Sequence, residues 1–329
     1  MRPELLQWIR DNATRMDREV VTRADTDRLA AEGLYALTGP PELGGKSVDV
    51  QRTTAASLAG ASPDLWFVWF QHGPVVRMLA ASDAPVRSLL LPDLCSGRVQ
   101  AGVAFSHLRS GPPTVRAVRA RDGWRLDGTQ PWCTGWGLAD VFLVGAHATD
   151  TGEALLGIVS AARLASAGAL DLMTMRGTST HALRLDGVAL DDTDVVVRRD
   201  FEEWRVADRI GNSNVQPSTF GIADAALDVT DPDVATELRH QVAALRIEAY
   251  ALLDEQPADV AVERRLQLRA QALVLAMTCA TAAVTSRGGR AMSTVDPAQR
   301  LLRAAAFQLV HAQAPHVRQA TLASLRPGA

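Results

Sequence analysis

The sequence predicts an α+β fold in which an antiparallel β unit lies between two helical regions. Near the start, Leu5, Ile9 and Met16 recur at helical spacing. From about residue 100 the apolar residues alternate with polar ones, as they do in strands. After residue 215 long segments return to the helical period. Strand and helix patterns do not alternate along the chain, which argues against a Rossmann fold and against a TIM barrel.

The first predicted domain, residues 1–100, consists of helices. The helix around Leu5 is followed by one over about 26–32, which ends near Gly33 and has Asp25 and Thr26 as available caps. Further helices are predicted over about 53–59, 73–81 and 85–94.

The second predicted domain, residues 101–202, is the β unit. Asp122-Gly123 is a strong hairpin signal between two of its strands. The predicted strands cover 102–106, 114–119, 124–132, 141–146, 154–159 and 181–190.

The third predicted domain, residues 203–329, is helical again. Its segments have the length and the periodicity of a four-helix bundle. The four helices are predicted over 220–227, 236–253, 261–285 and 297–325.

Composition excludes several classes of function. The 34 basic and 37 acidic residues give no basic excess, so we expect no nucleic-acid partner. Cys95, Cys133 and Cys279 lie far apart, which suits a reducing cytosol and predicts no metal cluster. The apolar stretches are broken by polar residues and the amino terminus has no signal-peptide core. We therefore expect a cytoplasmic protein with no membrane association.

The segment around Trp132 carries the strongest sign of chemistry. A strand runs into Trp132-Cys133-Thr134-Gly135 and a second strand follows. Because side chains alternate along a strand, Trp132 and Thr134 share one face and Cys133 points to the other. An aromatic ring beside a hydroxyl at a strand end predicts a resting place for a planar cofactor. We expect Cys133 to be a core residue rather than a nucleophile.

This segment and two others resemble acyl-CoA dehydrogenases. Residues 102–107, Gly-Val-Ala-Phe-Ser-His, are similar to the family's GAFALTE stretch, and residues 286–311 are similar to its GGxGxxxxxPxExLxRDA stretch, anchored on Pro297 and Arg303. The order of helices, β unit and helical bundle is also the family's layout. The resemblance covers most of the chain and implies the acyl-CoA dehydrogenase fold.

The resemblance also implies which residues contact a flavin. Ser106 falls on the threonine that touches the pyrimidine edge of the flavin, and Phe105 falls on the residue before it. Trp132 and Thr134 match the aromatic residue against the ring system and the hydroxyl near N5, where a donor stabilises the charge that develops during hydride transfer. An ordinary strand end without a ligand is the alternative at Ser106.

The paired glycines of the carboxy-terminal stretch are the remaining candidates for cofactor binding. Gly288 and Gly289 let a backbone approach a flavin chain or a neighbouring subunit, although a helix-ending turn explains them equally well. By resemblance we expect FAD as the cofactor, a small-molecule or acyl thioester substrate, and a homodimer or homotetramer.

Two elements of the family are missing from the sequence. A fatty-acyl dehydrogenase needs a carboxylate base for the α-proton while a hydride leaves for the flavin. Aligned on Arg303, one family position for this glutamate is Ala312, and the other falls in residues 210–216, which contain no acid. The element that grips the FAD pyrophosphate and adenosine from the neighbouring subunit also has no counterpart. FMN, weak binding of reduced flavin, or no flavin at all therefore remain open alternatives to FAD.

His311 is the candidate catalytic residue. The two-component flavin monooxygenases share this fold and carry a histidine in the same part of the same helix, which the alignment matches to His311. An unperturbed histidine is the natural base near neutral pH. A helix-face histidine that is hydrogen-bonded within the bundle is the structural alternative.

Three functions are consistent with the sequence. The first is a flavin-dependent oxidoreductase of acyl-CoA dehydrogenase type that oxidises an acyl thioester or a related small molecule by hydride transfer to flavin N5. The second is a monooxygenase that uses reduced flavin from a partner flavin reductase, with His311 as the base. The third is a non-redox or flavin-free descendant of the fold.

Overall fold

The computed structural model describes residues 1–326, and its elements follow the predicted order of helices, strands and helices. The first six helices are α1 (Pro3–Arg18), α2 (Arg23–Ala31), α3 (Val48–Ala61), α4 (Pro63–Phe70), α5 (His72–Ala80) and α6 (Val86–Ser96). The strands are β1 (Ala101–Ala104), β2 (Val115–Ala120), β3 (Gly123–Cys133), β4 (Val141–Ala148), β5 (Glu153–Ser160), β6 (Ala165–Ala169), β7 (His181–Asp191) and β8 (Val195–Asp200). The remaining helices are α7 (Phe201–Gly211), α8 (Pro217–Leu227), α9 (Pro232–Glu255), α10 (Val262–Arg287), α11 (Pro297–Gln308) and α12 (Pro315–Ser324).

The amino-terminal helices differ from the prediction at α2 and α4. The cap of α2 is Thr22, whose hydroxyl accepts from the backbone N–H of Asp25 while the Asp25 carboxylate accepts from the N–H of Thr22. Asp25 is thus the partner of the cap and not the cap itself. The helix α4 was not predicted, because its residues Leu65 to Phe70 are apolar on every face and show no helical period. Ser62 caps α4 and Pro63 begins it.

The sheet has eight strands within the described residues, in the order β6-β7-β3-β2-β4-β5-β8, with β1 paired to β4. The predicted hairpin is confirmed, since Arg121 and Asp122 join β2 to β3 and Ala120 pairs with Gly123. The sheet is not purely antiparallel as predicted, because β1 and β2 both pair with β4 in the parallel sense. The strand β1, which is parallel to β4, leads directly into Phe105 and Ser106.

The fourth helix predicted for the carboxy-terminal region is in fact two. The helix α11 ends at Gln308, and Pro315 begins α12, so a turn replaces the continuous helix over 297–325. Ala312 in this turn has φ of 48°, the left-handed conformation that reverses the chain. Proline cannot continue a helix from the preceding turn. His311 therefore lies in a turn and not on a helix face.

The two helical regions share one hydrophobic core, although they stand at opposite ends of the sequence. Met16 and Trp66 of the first region pack in the same cluster as Phe220 and Leu301 of the last. The sheet buries a separate cluster around Trp124 and other strand residues. A third cluster joins α5, α6 and α7 to the sheet. The domain ranges 1–100, 101–202 and 203–329 stay a prediction.

The helix α10 lies in this shared core. Among residues 1–326, one helical stretch, Val262–Met292, is long and apolar enough to cross a membrane by length and composition. Its residues Ala272, Ala276 and Ala280 are buried in that core. These contacts are those of a core helix.

Candidate functional site

A cavity of about 1180 Å³ lies where the first helices, the sheet, α7 and the turn after α11 meet. Five of the seven sequence-predicted site residues line it: Phe105, Ser106, Trp132, Thr134 and His311. These residues are up to 206 positions apart in the chain, so the fold brings them together. The remaining two, Gly288 and Gly289, do not line this cavity.

One wall of the cavity is the predicted aromatic and hydroxyl pair at the end of β3. The Trp132 ring is 55% exposed, whereas Thr134 is 6% exposed. Cys133, between them, is fully buried in the sheet core, and burial raises the pKa of its thiol. The expectation that Cys133 is a core residue is confirmed, because an inaccessible thiol with a raised pKa is a poor nucleophile.

The Thr134 hydroxyl belongs to a hydrogen-bonded chain that the sequence did not reveal. Its Oγ1 lies 2.9 Å from Oγ1 of Thr180, which lies 2.8 Å from Oγ1 of Thr178. Thr178 in turn donates to the carbonyl of Met175 at 2.7 Å. Thr180 and Met175 also line the cavity. Since 46 residues separate Thr134 from Thr180, no local motif could have predicted the contact.

Ser106 occupies the same wall, beside a buried amide. Gln130 Nε2 donates to Ser106 Oγ at 3.0 Å and to the Trp132 carbonyl at 2.9 Å. Gln130 is fully buried, and its Oε1 has no hydrogen-bond partner within residues 1–326. Because the serine oxygen accepts from Gln130, its own proton remains available to a ligand. A buried amide oxygen without a partner is the kind of polar atom that an ordered water satisfies.

His311 lies in a box of aromatic rings. The centroids of Trp66, Phe67 and Phe70 are 5.5, 5.2 and 5.2 Å from that of His311 and edge-on to it. Phe307 stacks on the imidazole at 5.4 Å. His311 Nδ1 is buried, and no partner for it exists among the described residues.

This environment keeps the imidazole neutral. Burial, followed by the charges of Arg269 and Arg109, lowers the pKa of His311 to about 3. Arg269 lies directly behind it and donates to the His311 carbonyl at 2.8 Å. The structure thus differs from the expected unperturbed histidine: at neutral pH the ring offers one N–H donor and one weakly basic nitrogen.

The cavity lining also contains a carboxylate that was not predicted from the sequence. Asp208 of α7 is the one acidic residue among the described residues that line the cavity. Its oxygens lie 3.1 and 3.2 Å from Nε of Arg109, and its side chain is 13% exposed. It stands two positions before the acid-free segment 210–216, on the first helix after the sheet. The signal was present in the sequence, but α7 itself was not predicted.

The cavity lining is electropositive. Arg109 is paired with Asp208 and Arg52 with Asp254, so the two other arginines of the lining are the ones that favour an anionic ligand group there. The arginines of the lining are Arg52, Arg77, Arg109 and Arg199.

Gly288 and Gly289 lie in a short 3₁₀ turn after α10. A Cβ added to either would meet no atom within 4 Å, and Gly288 has φ of 56°. Their surroundings within one chain are therefore open. Across residues 1–326, no group of three His, Cys, Asp or Glu side chains is placed to hold a metal ion.

The fold and the cavity define a protein with the acyl-CoA dehydrogenase architecture, which confirms the predicted fold. Solved structures of this architecture match nearly the whole chain. A putative acyl-CoA dehydrogenase from Mycobacterium smegmatis is 16% identical, with a TM-score of 0.82 over 99% of this chain and 98% of its own.

Two further structures have different names. The butyryl-CoA dehydrogenase of Megasphaera elsdenii is 17% identical, with a TM-score of 0.79 over 98% of this chain and 97% of its own. The dibenzothiophene monooxygenase of Paenibacillus sp. A11-2 is 19% identical, with a TM-score of 0.78 over 97% and 94%. At these identities the similarity establishes the fold and not the reaction. No family model and no curated protein matches the sequence.

Proposed function

We propose that this protein is a flavin-dependent oxidoreductase that oxidises an acyl thioester or a related small molecule by hydride transfer to flavin N5. The observation that carries the proposal is the convergence of Trp132, Thr134 and Ser106 on one wall of a single large cavity. These are the three residues that the resemblance relates to the ring system, N5 and pyrimidine edge of a flavin.

The side chains of this wall fit an isoalloxazine ring. Trp132 offers an exposed aromatic plane and Ser106 a free hydroxyl proton, while the buried Gln130 amide holds the Ser106 oxygen from behind. A heteroaromatic ring edge with both donors and acceptors satisfies such groups. A bound flavin supplies the hydride acceptor that no amino-acid side chain provides. The cavity arginines would hold the phosphate of a flavin nucleotide or of a coenzyme A ester.

The proton of the substrate requires a base, and the cavity offers Asp208 for this role. The Arg109 guanidinium holds the carboxylate in place, and the two form a closely contacting ion pair. Burial lowers the pKa of His311 to about 3, which makes its imidazole a weak base near neutral pH. We therefore assign His311 to the substrate-binding wall in this reaction, as a neutral hydrogen-bonding group within an aromatic box.

Titration of the purified protein with FAD and with FMN, followed by absorbance and fluorescence, tests this proposal. We expect saturable binding of one flavin per chain and weaker binding by Trp132→Ala by about tenfold, because the ring supplies stacking area. Val118→Ala, an exposed position on the neighbouring strand β2, is the matched control and should bind as the wild type does. Binding of neither flavin would favour the flavin-free descendant and reject the proposal.

A monooxygenase that uses reduced flavin from a partner flavin reductase is the second candidate. The observation in its favour is His311 Nδ1, a buried polar atom aimed among aromatic rings with no partner among the described residues. An aromatic substrate in that box would receive a hydrogen bond from, or give one to, the imidazole. Oxygen consumption with chemically reduced FMN or FAD tests it. We expect uptake coupled to substrate and its loss in His311→Ala; unchanged turnover in that variant rejects a role for His311.

A further inference from the structure

The chain of three threonine hydroxyls behind Thr134 has a fixed direction. Its far end is the carbonyl of Met175, which can only accept a hydrogen bond. Thr178 lies 2.7 Å from that carbonyl oxygen and must donate to it. A hydroxyl has one proton, so Thr178 can only accept from Thr180 at the 2.8 Å contact.

The same count fixes the near end of the chain. The proton of Thr180 is committed to Thr178, so at the 2.9 Å contact Thr134 is the donor and Thr180 the acceptor. The only proton of the Thr134 hydroxyl is therefore directed at Thr180 and is not available to a ligand. The oxygen turns nothing but lone pairs towards a ligand.

The segment that ends the chain is held firmly in place. Met175 and Ser179 both adopt the left-handed conformation, with φ of 57° and 49°, which non-glycine residues adopt at a cost. Between them, Gly177 donates its N–H to Asp64 at 2.9 Å, and its own carbonyl accepts from the N–H of Val21 at 2.8 Å. These contacts hold the segment 175–179 in place, and with it the Met175 carbonyl at which the hydroxyl chain ends.

We propose that Thr134 discriminates between the two redox states of the flavin and selects the reduced one. Nitrogen N5 carries a hydrogen in the reduced flavin and is a bare acceptor in the oxidised flavin. A Thr134 oxygen that can only accept takes a hydrogen bond from the N5–H of the reduced flavin. Against the oxidised flavin, a lone pair of this oxygen would face the lone pair of N5, and no hydrogen bond forms. Thr178 and Thr180 are positioning residues that act through Thr134. The inference rests on the proposed flavin site and adds the redox state that this site prefers.

Dissociation constants for oxidised and for anaerobically reduced FMN and FAD provide the test. We expect the wild type to bind the reduced form about three- to tenfold more tightly, the size of one net hydrogen bond. In Thr178→Val the hydroxyl chain loses its fixed end. Thr180 can then donate to Thr134, so the Thr134 proton becomes available to a ligand in the cavity. That variant should bind oxidised flavin more tightly than the wild type does, which a general loss of structure cannot produce.

Two further variants complete the design. Thr134→Val removes the acceptor and should weaken binding of the reduced form alone. Thr321→Val is the matched control, because Thr321 is a buried threonine of α12 whose hydroxyl donates to the Val317 carbonyl away from the cavity. It should leave the ratio of the two constants unchanged. If both flavin states bind, with a ratio that Thr178→Val does not alter, the inference is wrong while the proposed function stands.

The direction of the chain can also be observed without any flavin. Neutron diffraction from crystals exchanged into D₂O should locate deuterons on Thr134 pointing to Thr180, on Thr180 pointing to Thr178, and on Thr178 pointing to Met175. A deuteron on Thr180 directed at Thr134 would overturn the inference. If neither flavin state binds, the proposed function fails and the selection of reduced flavin fails with it.

Discussion

At the scale of single residues, His311 is the side chain that the fold alters most. Its ring is 8% exposed and surrounded by aromatic groups, and the buried guanidinium of Arg269 lies on its carbonyl side. Both burial and positive charge oppose protonation. The imidazole that the sequence suggested as a base is therefore a neutral polar group near pH 7. We expect its protonation at lower pH to affect the stability of the fold and not the catalysis.

We expect stability to fall as the pH drops below the ordinary histidine value, because of His311. Its pKa of about 3 in the folded chain lies below the unfolded value, so the unfolded state binds the proton first. Between pH 7 and pH 5 the free energy of unfolding should lose about 2 kcal/mol from this group. Urea unfolding at both pH values measures this loss, which His311→Gln should abolish. His240→Gln, at an exposed position of α9, should not change it.

Prediction from the sequence succeeded for residues whose role is set by their own strand. The alternation around Trp132 indicated which side chains share a face, and the cavity contains them. The alternation did not predict the roles of Thr180, Gln130 and Asp208, because these roles depend on contacts across the fold. Nor could it anticipate the aromatic box, which lowers the pKa of His311, because Trp66 and Phe67 are 240 or more positions away in the chain.

At the scale of elements, the loop before β7 connects the cavity to the helical core. Asp64 of α4 accepts from the Gly177 N–H at 2.9 Å and is 2% exposed. Burial and the neighbouring charge of Asp17, only partly offset by Arg303 and Arg300, raise the pKa of Asp64 to about 7. The loop is thus held by a carboxyl group that the fold prefers in its protonated form.

Asp64 should cause a second, opposite pH dependence. Because its folded pKa lies above the unfolded value, its contribution to stability is fully present below the unfolded value and is lost as the pH rises from there through about 7. Between pH 5 and pH 8 the free energy of unfolding of the wild type should fall by about 2 to 3 kcal/mol because of this group. The variant Asp64→Asn should not show this fall. The asparagine oxygen still accepts from Gly177. Thermal unfolding at the two pH values measures this, with the exposed Asp259→Asn as control; equal losses in the wild type and Asp64→Asn would refute it.

Elements were predictable where burial alternates and were missed where it does not. The strands β3 and β7 match their predicted ranges closely, since their residues alternate between core and surface. The strand β6 is exposed along its whole length, and α4 is apolar on every face. Neither segment therefore shows a hydrophobic periodicity from which it could be predicted. The break after α11 depends on the left-handed Ala312, a residue type that gives no warning of that conformation.

At the scale of the whole molecule, the open turn after α10 is where we expect a neighbouring subunit. The resemblance implies a homodimer or homotetramer, and nothing within 4 Å would meet a side chain at Gly288 or Gly289. A bulky side chain at Gly289 should therefore leave the fold intact but obstruct a neighbour.

Light scattering coupled to size-exclusion chromatography tests this placement. We expect Gly289→Trp to convert a dimer or tetramer into smaller species. Its circular dichroism spectrum should match that of the wild type, and it should still unfold in a cooperative thermal transition. Asp259→Trp is the control, since Asp259 is exposed and lies elsewhere, before α10. An unchanged assembly in Gly289→Trp would exclude this turn from the interface.

The central claim is that the wall formed by Ser106, Trp132 and Thr134 holds a flavin. The most direct measurement is a crystal structure of the protein after equilibration with FAD or FMN. We predict density for the isoalloxazine against the Trp132 ring, with N5 beside Thr134 and the pyrimidine edge beside Ser106. A flavin bound elsewhere, or a cavity that stays free of flavin at saturating concentration, would contradict the account.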